Sequence, residues 1–286
     1  GNTNLILSII KLIEDKMNLE HDIQEAGVQM ILLVEDSIRF YSSILPNLYN
    51  YILEQSKNFS QEALNRHAAT MRMRGRPKVV LARTYEEAQK LYDKYSDNTL
   101  GVISDARFPL KSAAKAFGNE VMPEEKPKHR TDTFGREKCP DAGLQLFRYI
   151  RKNDPFVPLI IESSESENRV KAEAEGFRFV DKNSKKMSVD LRRLMEEHMG
   201  FGDFIFRDPK THEEIMRIHS LKELQDNIFN IPNDSMLYHI SRNHMSRWLC
   251  ARAIFPVSAF LKHVTWEKLQ DVDAHRQIIF DAIVQY

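Results

Sequence analysis

The chain has 286 residues, enough to bury one large core or two modest ones, and its 41 basic side chains balance 41 acidic ones. That balance leaves no net field to attract nucleic acid or an anionic membrane, so a polyanion-binding role would need local support. Cys139 and Cys250 stand far apart without a CxxC pair, which indicates neither a disulfide framework nor a zinc site and reads as free thiols in a reducing cytoplasm.

The first predicted element is a helix over residues 4–25, where Leu5, Ile6, Ile9, Ile10, Ile13, Met17 and Ile23 recur at helical spacing before Gly27. Its apolar stretch, Leu5 to Ile13, is interrupted by Ser8 and Lys11 and is too short to span a bilayer. No basic leader with a small-residue cleavage site precedes it. A helix this apolar calls for a partner, either the end of an upstream domain or a second copy in a homodimer, and the chain reads as an excised piece of something longer. Met30 to Val34 is a strand closed by Glu35 and Asp36, and a helix follows through about Glu54. A second helical stretch, Gln61 to Arg72, leads to a basic turn at Arg74, Gly75, Arg76 and Pro77. Strands and helices then alternate: strand Val79 to Ala82, helix Tyr85 to Tyr95, strand Leu100 to Ser104, helix Ala142 to Lys152, strand Leu159 to Glu162, helix Glu167 to Glu175, strand Phe177 to Val180 and helix Val189 to His198.

Five apolar strands alternating with helices define a parallel sheet covered on both faces, and in such sheets chemistry sits at the carboxyl ends of the strands. Those ends carry Glu35 and Asp36, Asp105, Ser163 and Lys182. Three carboxylates in one place repel one another unless a cation neutralises them, and hard oxygen ligands suit Mg²⁺. A carboxylate can then attack phosphorus, while an ammonium and a hydroxyl stabilise the phosphoryl oxygens.

The segments Ile31-Leu-Leu-Val-Glu-Asp36, Val102-Ile-Ser-Asp-Ala-Arg-Phe-Pro109, Asp141-Ala-Gly-Leu144, Pro158-Leu-Ile-Ile-Glu-Ser163 and Phe179-Val-Asp-Lys182 resemble, in order, the response-regulator receiver family. The resemblance implies a flavodoxin-like doubly wound sheet of strand order 2-1-3-4-5. It implies phosphorylation of Asp105, with Mg²⁺ held by Glu35, Asp36, Asp105 and the backbone carbonyl of Arg107. It further implies that Ser163 and Lys182 contact the phosphoryl group, that Phe179 is an aromatic switch, and that Arg107 and Glu165 flank the path of the hydrolysing water. The partners implied are a histidine kinase or phosphotransfer protein and a linked downstream effector, with no nucleic acid and no membrane. On this reading the region is a phosphoacceptor that loses its own phosphoryl group rather than a turnover enzyme. The alternative is a receiver-shaped scaffold that assembles proteins without phosphorylation. An aspartate-nucleophile phosphatase is disfavoured, because adjacent Glu35 and Asp36 replace the DxD pattern expected after its first strand.

The sequence also departs from the family. Gly143 lies 38 positions after Asp105, far more than the family's short loop, so residues 110–140 form an insert beside the phosphoacceptor, expected either to lid the site and filter donors or to be a floppy surface loop. Lys182 follows Ser163 by 19 positions, fewer than usual, which shortens the intervening helix, and Asn183 replaces the family's proline, removing the ready route to a cis peptide.

The expected domains are an N-terminal helix and linker over 1–28, the receiver over 29–199 and a mainly helical region over 200–286. In the last, helices are predicted around His212 to Arg217, Leu221 to Ile228, Ser235 to Ile254 and Thr265 to Val284. His239 and His244 are five apart, not the i, i+4 spacing of paired helical ligands, and are read as packing residues. Trp248, Leu249, Phe255, Phe260 and Trp266 are read as core. The runs Asp203-Phe-Ile-Phe-Arg-Asp-Pro209 and Arg242-Asn-His-Met-Ser-Arg-Trp-Leu-Cys-Ala-Arg252 resemble, less specifically, the segment after the receiver in large bacterial proteins labelled phosphoenolpyruvate synthase or pyruvate phosphate dikinase.

Overall fold

The structure is a computed structural model that describes residues 2–63, 65–112, 131–132, 135–264 and 271–285. The chain divides into two compact units: residues 1–19, 30–49 and 78–191, and residues 20–29, 50–77 and 192–286.

The first unit is built on five parallel strands, β1 (Met30–Val34), β2 (Lys78–Ala82), β3 (Thr99–Asp105), β6 (Leu159–Ser163) and β7 (Arg178–Asp181), in the order β2-β1-β3-β6-β7. Between β3 and β6 lie two-residue strands β4 (Phe108–Pro109) and β5 (Lys138–Cys139), which pair antiparallel. The connecting helices are α2 (Ile38–Gln61), α4 (Tyr85–Tyr95), α5 (Ala142–Asn153), α6 (Ser166–Ala174) and α7 (Met187–His198). All five residues of β1 are buried, as are the first six of β3, which is why these strands read as unbroken apolar runs. On α5, Leu144, Phe147 and Ile150 recur at helical spacing and are buried, while Arg148 and Lys152 stay at the surface. The short α6 spans nine residues.

Helix α1 (Asn2–Ala26) contributes its first part to this unit, burying Leu19 but leaving much of its apolar surface outside. Ile6, Leu7, Ile10, Ile13 and Met17 are exposed, whereas Asp15 is fully buried. The Asp15 carboxylate accepts hydrogen bonds from the Val79 amide of edge strand β2 at 2.9 Å and from the Tyr49 hydroxyl at 3.0 Å, with the Lys78 ammonium at 3.8 Å. It thereby satisfies a backbone donor that the sheet leaves unpaired at its edge.

The second unit contains α3 (Arg66–Arg74), a hairpin of β8 (Phe204–Arg207) and β9 (Glu214–Ile218), and helices α8 (Leu221–Asn227), α9 (Asn233–Ser241), α10 (His244–Ala251), α11 (Phe255–Lys262) and α12 (Val272–Gln285). Two expectations fail here. The predicted helix at His212 to Arg217 is half of a hairpin: Phe204 and Phe206 alternate inward, and Asp208 Oδ1 accepts the amides of Lys210 and Thr211 to make the turn. The single helix predicted for 235–254 is broken at Asn243 (φ 59°) and again at Ala253 (φ 58°). Asn tolerates this left-handed backbone readily, but Ala253 adopts it only because its surroundings impose it. Trp248 and Leu249 are core as expected, Phe260 is exposed, and Trp266 lies outside the described residues.

Candidate functional site

At the carboxyl end of β1 the chain continues its ladder for one more bond, Glu35 N–H to Ala82 O at 3.0 Å, which fixes Glu35 beyond the sheet edge. The Ser37 amide then donates to Glu35 Oε1 at 3.0 Å, and the Ser37 carbonyl accepts the Tyr41 amide as α2 begins. At the end of β3 the Ala106 amide is shared by Asp105 Oδ1 (2.8 Å) and the Glu162 carbonyl (3.1 Å), pinning the Asp105 side chain over the strand end. Gly143 closes the other side by donating its amide to Ala106 O at 3.1 Å. A Cβ there would fall 2.3 Å from the Asp105 carbonyl oxygen, so only glycine allows α5 to approach so closely.

Glu35, Asp36 and Asp105 offer carboxylate oxygens that all lie within 4.8 Å of one another, the first two buried and the third half-buried. Lys182 reaches this cluster from the end of β7. Its ammonium bonds Glu35 Oε2 and lies 2.9 Å from Asp105 Oδ1, with the Phe40 ring centroid at 4.5 Å, and its side chain is 2% exposed. The Lys182 amide donates to the Ser163 carbonyl at 3.0 Å, which carries the ladder past β6 and aims the side chain inward. The Lys182–Asn183 peptide is trans, as are all others among the described residues.

Electrostatics follow from burial. Desolvation raises the Glu35 carboxyl well above its ordinary value, reinforced by Asp105 and opposed by Lys182. Burial likewise raises Asp36, against the pull of the Lys138 ammonium 2.6 Å away. Lys182 is disfavoured by burial, but Asp105, Glu35 and Glu162 outweigh this and hold it firmly charged.

The flanking residues are also in place. Ser163 Oγ accepts from the Glu165 amide (3.1 Å) and from Asn168 Nδ2 (2.9 Å), which leaves its hydroxyl proton free to be donated. Arg107 and Glu165 form a half-exposed ion pair at 3.1 Å. Phe179 is half-buried, with the Arg169 guanidinium of α6 4.7 Å from its ring centroid.

Three contributors are not among the residues singled out from the sequence. Lys138 lies on β5 at the returning end of the insert, Phe40 on α2 beside Lys182, and Glu162 inside β6. Glu162 is the register partner of Asp105, is fully buried, and has no hydrogen bond to either carboxylate oxygen. A lone Glu between Ile161 and Ser163 in an otherwise apolar strand was the available signal. Residues 113–130 of the expected lid lie outside the described residues.

The donor set fits a divalent cation. Asp36 is buried with no hydrogen-bond partner on Oδ1, its Oδ2 faces the Lys138 ammonium, and three hard carboxylates converge. A bound Mg²⁺ would be held by Glu35, Asp36 and Asp105 and would supply positive charge against developing phosphoryl oxygens.

The histidine pair of the second unit is of another kind. His239 Nε2 accepts the Arg207 amide at 3.0 Å, so its Nδ1 carries the proton facing His244 Nδ1 at 3.1 Å. Burial pushes both down to about 3, and they pack as neutral rings. In the run Arg242 to Arg252, Trp248 Nε1 donates to Gly202 O at 3.0 Å, and the Arg252 guanidinium lies 3.7 Å over the Trp248 ring. These residues pack that unit together.

The strand order and its flanking helices define a doubly wound, flavodoxin-like α/β protein with an acidic cluster at the carboxyl edge of its sheet. Among solved structures the chain is similar to a response regulator receiver domain protein from Clostridium thermocellum, with 17% identity, 60% of this chain and 94% of that chain covered, and a TM-score of 0.34. No protein-family model and no curated protein matches the chain. No helix among the described residues is long and apolar enough to cross a membrane.

Proposed function

We propose that residues 29–199 are a phosphoacceptor receiver of two-component signalling, and that Asp105 is the nucleophile. The observation that carries this reading is the convergence of Glu35, Asp36 and Asp105, two of which, Glu35 and Asp105, share the buried Lys182. An Asp105 carboxylate oxygen attacks the phosphorus of a phosphohistidine or small acyl phosphate. The new O–P bond makes an acyl phosphate, and the donor leaves with the electrons of the bond that breaks. Lys182 already lies 2.9 Å from Asp105 and pairs with the phosphoryl oxygens, and the Ser163 hydroxyl donates a second bond to them. The Arg107–Glu165 pair borders the route of water to the acyl phosphate. A histidine kinase or phosphotransfer protein is the donor, and a linked effector is the recipient of the change.

The test is incubation of the chain with acetyl phosphate and Mg²⁺, read by intact mass. A gain of one phosphoryl group in wild type, absent in Asp105→Asn and without Mg²⁺, is expected. A chain that never gains this mass, and whose hydrogen-exchange pattern ignores beryllofluoride, fits the phosphorylation-independent scaffold and ends the receiver reading.

A further inference from the structure

Asp36 carries a cation that the receiver resemblance does not supply. Lys138 stands on β5, where the insert returns to the domain, and its ammonium lies 2.6 Å from Asp36 Oδ2. The placement is built into the fold. Strand β5 pairs with β4, Pro109 opposite Lys138 and Phe108 opposite Cys139, and Phe108 is fully buried three positions beyond Asp105. Just upstream of Lys138, Thr131 bridges Glu137, and Asp132 accepts the Arg136 amide at 2.7 Å and its Nε at 2.6 Å. The Lys138 side chain is 18% exposed against 0% for Asp36, so the pair sits at the edge of the buried cluster. Lys182, meanwhile, is committed to Glu35 and Asp105. Two lysines thus divide three carboxylates between them.

We infer that Lys138 is a resident counter-cation of the phosphoacceptor site, set on Asp36 by the insert, and that a divalent cation reaches Asp36 only by displacing it. The inference rests on the metal site proposed above. An ammonium and a divalent ion on the same carboxylate repel strongly at the low dielectric of a buried site. Lys138 is the partly exposed member of the pair, and a lysine head on a flexible four-carbon stem can swing out to water. Lys138 therefore sets the affinity of the metal site, and metal occupancy is coupled to the end of the insert.

Calorimetric titration of the full chain with Mg²⁺ tests this. Lys138→Met is expected to bind Mg²⁺ about tenfold more tightly than wild type. In wild type, amine labelling read by peptide mass is expected to modify Lys138 faster at saturating Mg²⁺ than in its absence, a measurement that stands even if the variant fails to fold. If wild type binds Mg²⁺ but the variant binds no tighter, or if Mg²⁺ leaves the labelling of Lys138 unchanged, the role of Lys138 is overturned and the metal site survives. If neither protein binds Mg²⁺, the metal site falls, and this inference with it.

Discussion

Replacing Glu162 by glutamine removes a charge while keeping the shape of the side chain, and the fold assigns that change a definite pH dependence. Glu162 is fully buried, and neither carboxylate oxygen has a hydrogen-bond partner. Burial, opposed by Lys182 and reinforced by Asp105, pushes its carboxyl up to about 7 from an ordinary value of 4.5. A carboxyl raised on folding contributes fully below about 4.5, where it is protonated in both states. Its contribution is lost as pH rises toward about 7, because the unfolded chain ionises first. The difference is worth roughly 3 kcal/mol, with no reduction for solvent exposure at a fully buried group. Urea unfolding of wild type and Glu162→Gln without metal should give stabilities within about 0.5 kcal/mol of each other at pH 4.5. At pH 8 the variant should be the more stable by up to roughly 3 kcal/mol. An equal stability difference at the two pH values would refute the argument that a buried charge at Glu162 opposes folding.

Gly143→Ala sets helix propensity, which favours alanine by about 1 kcal/mol, against a Cβ placed 2.3 Å from the Asp105 carbonyl oxygen. The clash is with backbone and should win, for a net loss of about 1–3 kcal/mol in urea unfolding; a variant as stable as wild type would mean that α5 does not sit so close. Asp15→Ala removes the acceptor of the Val79 amide and takes a buried carboxylate from beside Lys78 and should cost about 3 kcal/mol, whereas Asp15→Asn, which keeps an acceptor, should cost less. Equal losses from the two substitutions, followed by chemical denaturation, would show that the hydrogen bonds are not what Asp15 contributes.

What was legible in the sequence was whatever a strand end announces. Apolar runs closed by Glu35–Asp36, Asp105, Ser163 and Lys182 placed the parallel sheet and the cluster at its edge, while the strand order came from the family resemblance. Contributions from the flanks were not legible. Lys138 meets Asp36 across about a hundred positions of chain, and only the β4–β5 pairing fixes that contact. Glu162 sits in a run that reads as an ordinary buried strand, and periodicity cannot say that its neighbours are Asp105 and Lys182. In the second unit the five residues of β9 are too few to separate a period of two from one of 3.6. The backbone reversal at Ala253 carries no residue signature at all. Helix α1 misleads in the opposite direction, since Ile6, Leu7, Ile10, Ile13 and Met17 face outward while Asp15 is fully buried.

The charge balance of the site favours a divalent over a monovalent ion. Glu35, Asp36, Asp105 and Glu162 bring four carboxyl groups, and among the described residues Lys182 and Lys138 are the ammonium groups paired with or aimed at them. Fully ionised, the set would be left two charges negative in a largely buried volume, a state so costly that Glu35, Asp36 and Glu162 all shift toward holding protons instead. With only Lys182 left beside it, one divalent cation leaves the four carboxylates one charge negative, whereas a monovalent one leaves them two. If the cation takes Asp36 from Lys138, the same step returns an ammonium to the mouth of the site, where the phosphoryl group on Asp105 would bring up to about two new negative charges. The two lysines then have distinct roles. Lys182 is held by Glu35 and Asp105 in the resting chain and stays within reach of the reacting oxygen, whereas Lys138 answers to the metal, so loss of one should impair phosphorylation itself and loss of the other should alter the metal concentration at which it occurs.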